Sequence, residues 1–109
     1  MKNFSINRNR FASFGVVSSL PGEIIDSIWV VIDMNLQGVV ELDELITFQL
    51  LNHDGRLTLH FSQKDKRMEV AVDLPFEYSY DFPKEVYAYD DGRNETILLP
   101  TEINQRNKS

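Results

Sequence analysis

From residue 21 to 37, PGEIIDSIWVVIDMNLQ, apolar side chains recur at steps of three and four, so that Ile25, Ile28, Trp29, Ile32 and Leu36 fall on one side of a helical period. Ile24, Val31 and Met34 widen that stripe, while Asp26, Asp33 and Gln37 lie opposite it and are expected to face water. Pro21 suits a first turn, where its missing amide hydrogen costs nothing, and Glu23 places negative charge at the positive end of the helix dipole. Gly38 supplies the stop. The segment is rich in isoleucine and valine, which are modest helix formers, so burial must hold it, and mid-stripe Trp29 is expected in the core.

Elsewhere the period changes to two. Residues 10–17 set Phe11, Ser13 and Gly15 against Ala12, Phe14 and Val16, which predicts a short strand ending at Ser18, Ser19 and Pro21. Residues 45–51 and 56–62 flank Asn52, His53, Asp54 and Gly55, and an Asp-Gly pair between β-rich runs predicts a hairpin. Residues 67–74, after Lys64, Asp65 and Lys66, predict a third strand. Putting the apolar residues on one face pairs Leu50 with Leu59 and Phe48 with Phe61. Across the second turn it pairs Phe61 with Met68, Leu59 with Val70 and Leu57 with Val72. The opposite face then carries Gln49, His60 and Glu69 side by side, with Arg56 opposite Asp73 and Arg67 opposite Ser62, as antiparallel sheets show to solvent.

Residues 85–90 and 95–99 predict a last hairpin about Asp91, Gly92, Arg93 and Asn94. It pairs Val86 with Leu99 and Ala88 with Ile97 and leaves Tyr87, Tyr89 and Leu98 on the other face, so this hairpin is expected to be covered on both sides. Residues 1–9 and 101–109 are polar and read as loose tails. The fold class is α+β: a single domain, 1–109, with one amphipathic helix packed on a curved antiparallel sheet of five or six strands.

Charge changes the picture modestly. A net charge of -6 sets this chain against direct nucleic-acid binding, which needs a basic surface, and makes an acidic inhibitor that mimics nucleic acid conceivable, with Asp26 and Asp33 on the helix as its charges. With no cysteine there is no disulfide, thiolate chemistry or cysteine-ligated metal. No apolar run reaches the roughly 20 residues of a membrane span, and a cytoplasmic location is expected.

Candidate chemistry is sparse. Asp90, Asp91, Asn94 and Glu95 lack the spacing of a calcium loop and are assigned to turn formation. His53 and His60 have no metal-ligand spacing, and His60 between Gln49 and Glu69 reads as part of a solvated face. No phosphate loop or nucleophile elbow is present; the sequence assigns no catalytic, cofactor-binding or metal residue. The unusual composition lies at residues 75–83, where Phe76, Tyr78, Tyr80 and Phe82 alternate with Glu77, Ser79 and Asp81. This segment is either a lid folded over the core or an exposed aromatic ridge that contacts a partner, with Tyr78 and Tyr80 as the expected anchors.

The stretches NRNRFASFG, IWVVID, LDELITFQL and VYAYDDGRNETILLPTE resemble the small staphylococcal proteins of the domain-of-unknown-function 960 family, leaving residues 62–84 unmatched. The resemblance implies a cytoplasmic accessory protein of Gram-positive bacteria, in part of mobile genetic elements, and carries over no functional residue. Together these readings favour a non-enzymatic protein-binding or regulatory module that docks a protein partner or a second copy of itself. The alternatives are the acidic mimic and a small enzyme with a cleft near the aromatic segment.

Overall fold

The computed structural model describes residues 3–5, 8–64 and 68–106. Along the chain run β1 (Asn9–Ala12), α1 (Phe14–Ser19), α2 (Gly22–Val31), β2 (Leu45–His53), β3 (Arg56–Ser62), β4 (Val70–Glu77), β5 (Glu85–Asp90), β6 (Asn94–Leu98) and α3 (Pro100–Arg106). The strands form one curled sheet in the order β1-β6-β5-β2-β3-β4. It is an α+β fold with a curved sheet, as the periodicities predict. The sheet is mixed, because β1 runs parallel to β6 while the other pairs are antiparallel.

The long helix forms where expected. Ile24, Ile25, Ile28, Val31, Ile32 and Leu36 are buried against the sheet, and Gly38 ends the segment at φ +80°. Its last turn, Ile32–Leu36, widens to a π-helix, closed by the Gln37 amide donating to the Ile32 carbonyl at 2.9 Å. The side expected to face water does so only in part. Asp26 is exposed, but Asp33 pairs with Arg10 of β1, and the Gln37 side chain donates to the backbone carbonyls of Asn3 and Phe4. Trp29, expected inside the core, is half-buried at its rim with the Arg10 guanidinium 4.7 Å from its ring centre. The cause in each case is the N-terminal chain, which lies along this flank of the helix.

The first hairpin follows the predicted register, Leu50 opposite Leu59 and Phe48 opposite Phe61. Asp54 and Gly55 take φ of 54° and 90°, the left-handed pair that a two-residue hairpin turn requires. On the far side β4 sits two residues out of the expected register: Phe61 faces Val70 and Leu59 faces Val72. Asp73 therefore faces Thr58, and a further register shift between Thr58 and Arg56 sets Arg56 against Glu77, in place of the expected pair; Arg67 lies outside the described residues. A two-residue slip keeps the same side chains on the same face, so alternation cannot detect it. The second hairpin has the expected register, Ala88 opposite Ile97.

The ends are built differently from the predicted tails. Phe4 is fully buried, and α3 forms where fraying was expected. The strand predicted for 10–17 stops at Ala12 and becomes α1, capped by the Ser13 hydroxyl, which accepts from the Val16 amide. The same hydroxyl donates to Glu102 at 2.5 Å, while the Glu102 carboxylate accepts from the amides of Leu99 and Gly15. A Cβ on Gly15 would stand 2.7 Å from Leu99 Cδ1 and 2.9 Å from Glu102 Oε2, so glycine lets α1 approach α3 without displacing these side chains.

Candidate functional site

β4 ends at Glu77, and the segment beyond it is a turn rather than a continued strand. The Tyr78 amide donates to the Gly55 carbonyl at 2.9 Å, and the Phe82 amide to the Ser79 carbonyl at 3.1 Å. The turn folds Phe76, Tyr78 and Phe82 against the core and leaves Tyr80 86% exposed. Tyr78 is the hub: its ring meets Tyr80 edge-on at 5.3 Å and Phe82 at 6.0 Å. The Tyr80 hydroxyl accepts from Asn52 Nδ2 at 3.2 Å, tying the ridge to the first hairpin's turn. The two predicted anchors thus come together, Tyr80 outermost and Tyr78 half-buried behind it. Phe76 and Phe82 serve the lid.

The polar row is assembled as expected, with an altered third member. Gln49 faces His60, and Ala71 rather than Glu69 stands opposite His60 across β4. Glu69 reaches His60 diagonally, Oε1 2.7 Å from Nε2, while Nδ1 is buried with no partner among the described residues. Next along this face, a hydrogen bond from the Thr58 hydroxyl holds the Asp73 carboxyl below its usual range, and the nearby His53 and Arg56 act in the same direction.

The acid-rich turn divides into two. Asp91 is turn chemistry, its carboxylate accepting from the Arg93 and Asn94 amides at 2.9 and 2.8 Å. Asp90 and Glu95, assigned by sequence to the same turn, instead point inward, 1% and 0% exposed. Asp90 pairs with Arg8 and accepts from the Phe4 and Gly92 amides. Glu95 Oε1 accepts from Arg10 Nε at 2.8 Å, and Arg10 grips Asp33 with its other two nitrogens at 2.8 and 2.6 Å. Among the described residues Glu95 Oε2 has no partner. Burial pushes the Glu95 carboxyl above its usual range, with Arg10 pulling the other way, and the Asp33 hydrogen bond raises the Arg10 guanidinium above its own. Sequence held half of this signal: the register that pairs Ala88 with Ile97 puts Asp90 and Glu95 on that same core face. The other half, Arg10, depends on the parallel pairing of distant strands.

Among the described residues no three His, Asp or Glu side chains come together as a metal site. A cavity of about 370 Å³ adjoins the aromatic segment between Pro83 and Thr101. Its ionisable groups are Lys84 and Glu85. Among the described residues no helix is long and apolar enough to cross a membrane.

The model of the family described as staphylococcal protein of unknown function (DUF960) matches residues 9–102, from β1 into α3. The chain belongs to the DUF960 family. The match includes residues 62–84, which the motif likeness left out, and with them Tyr78 and Tyr80. A crystal structure of a protein of unknown function from Enterococcus faecalis is 54% identical, with a TM-score of 0.91 over 94% of this chain and 96% of that one. No curated protein matches. The DUF960 assignment rests on the whole sheet and its helix, and brings no activity with it.

Proposed function

We propose that this DUF960 protein is a non-enzymatic binding module that docks a protein partner through the aromatic turn after β4, with Tyr80 as the outer anchor and Tyr78 as its support. The observation that carries this reading is the 86% exposure of Tyr80 on a ring-to-ring contact with Tyr78. Tyrosine offers large contact area at small entropic cost, and a ring already held by Tyr78 and Asn52 loses little freedom on binding. The setting is the cytoplasm, in keeping with a chain free of cysteine. The acidic-mimic alternative loses support because Asp33, one of its two helix charges, is neutralised by Arg10.

The test is a paired substitution, Tyr78→Ser with Tyr80→Ser, followed by sedimentation and affinity capture against the parent. Loss of a partner that the parent retains, with the far-ultraviolet spectrum unchanged, supports the reading. A folded variant with the same mass and the same retained proteins makes the segment a lid on the core.

A further inference from the structure

We infer that the outer edge of β4 takes up a cationic, extended segment of a partner protein as an additional strand. This rests on the protein-binding reading above and names the partner's chemistry.

β4 ends the sheet order, and among the described residues no backbone hydrogen bond outside the strand ladders involves positions 70–76. Its regular part is Val70–Asp73, beyond which the register shifts between Arg56 and Thr58 of β3, near Pro75. Val70, Val72, Leu74 and Phe76 turn toward the core, while Glu69, Ala71, Asp73, Pro75 and Glu77 are all exposed. Carboxylates thus recur every fourth residue along one face of the edge, roughly 13 Å apart at strand rise; on the inner side β3 sets His60 at Glu69, Thr58 at Asp73 and Arg56 opposite Glu77, while the outer side faces solvent.

An acidic edge with a bulge commonly just prevents edge-to-edge pairing. Here a large apolar side chain, Met68 at 50% exposure, stands next to Glu69 at the start of the acidic row, where a purely protective edge would carry charge. The charges also decide the occupant. If a second copy paired antiparallel through β4 with faces matched, the registers would set Glu69 against Asp73, or Glu69 against Glu77 and Asp73 against itself. A register that sets Asp73 against Glu77 does the same, and those that set Glu69 or Asp73 against Pro75 leave Asp73 diagonal to its own copy. Each brings like charges together, which disfavours the homodimer. Nucleic acid is repelled by the same row. A strand with lysine or arginine at alternate positions sets every second cation opposite one of these carboxylates: main-chain bonds supply affinity and the carboxylates select the cations.

The probe is a short, capped, fluorescent peptide of alternating lysine and valine, titrated into the full chain by anisotropy, with a glutamate-for-lysine peptide as control. The lysine peptide is expected to bind and the glutamate peptide not. The triple variant Glu69→Gln, Asp73→Asn, Glu77→Gln should weaken binding by about tenfold or more. A second triple, Glu23→Gln, Asp26→Asn, Glu44→Gln, removes equal charge at other exposed positions and should leave binding unchanged. N-methylating either the lysines or the valines should abolish binding for one of the two sets, since only one presents its amides to the edge. The inference is overturned if the parent ignores the lysine peptide, if both triple variants weaken binding alike, or if neither methylation matters. Should the parent ignore the peptide yet retain a partner through Tyr78 and Tyr80, this inference fails and the docking function stands. If instead the peptide binds at β4 while replacement of Tyr78 and Tyr80 changes no retained partner, the edge inference stands and docking through the aromatic turn fails.

Discussion

Asp90 and Glu95 sit at 1% and 0% exposure and face arginines inside the molecule, whereas Glu69, Asp73 and Glu77 stand in water along β4. The same residue types therefore do different work at the two ends of one sheet. A carboxylate taken out of water must be matched, and Asp90 is matched fully, by Arg8 and two amides, while Glu95 is matched on one oxygen only. Such groups fix how β1, β6 and the helix fit together. The carboxylates of the β4 edge meet their partners only at the surface, Glu69 at His60 and Asp73 at the Thr58 hydroxyl, and such exposed pairs contribute little to stability.

The sharpest way to break this contrast is Arg10→Ala. It strands Glu95 and frees Asp33, and a buried charge without its partner costs about 3–5 kcal/mol, to be read from the denaturation midpoint. A loss under about 1 kcal/mol would show that the inner network is ornamental. Trp29→Ala should cost less, about 2 kcal/mol, because the ring is half-buried and stacks on Arg10 rather than filling the core. As the only tryptophan, Trp29 also reports the network, and its fluorescence should change in Arg10→Ala.

Glu95 sharpens the comparison through pH. Its folded-state value lies above the unfolded one, so the native state takes up the proton first, and stability from this group rises as pH falls through the folded value, complete below the ordinary glutamate range. Glu95→Gln should therefore cost less than about 1.5 kcal/mol at neutral pH, or gain, and its standing relative to the parent should decline on acidification. Glu102 has the opposite sign. Burial raises its pKa, but the bonds from Ser13, Leu99 and Gly15 outweigh that, so its contribution is present above the unfolded value and is lost as pH falls through the folded one. The smallest effect belongs to the open end: Tyr80→Ser should shift stability by under about 0.5 kcal/mol. A larger loss would make Tyr80 part of the core lid.

What was readable in the sequence follows the same division. The helix stripe and the Asp54-Gly55 hairpin declare themselves through neighbours close in the chain; the hairpin stands as predicted, and the stripe does so except at half-buried Trp29 and at Met34, 75% exposed. The errors came from partners far apart. Ser13 reads as part of a strand until Glu102 is beside it, and Asp33 and Gln37 read as solvent-facing until β1 and Phe4 are laid against them. The β4 register escaped because a slip of two preserves every face. Of the candidate site, composition alone located Tyr78 and Tyr80, but their unequal exposure required the turn at Ser79 to be seen.

The parallel pairing of β1 with β6 also sets an order of events in time. β2 and β3 can close across a two-residue turn as soon as both exist, whereas β1 must wait for the strand that pairs with it, the last of the six to leave the ribosome. Until then the first strand has no place in the sheet, and Arg10 has no Glu95 to meet. Folding is thus expected to nucleate in the central hairpin and finish with an N-terminal docking step that pays its loop-closure entropy late. Synthesis arrested before β6 should yield a chain whose central hairpin is formed while its amino-terminal end remains open to proteases.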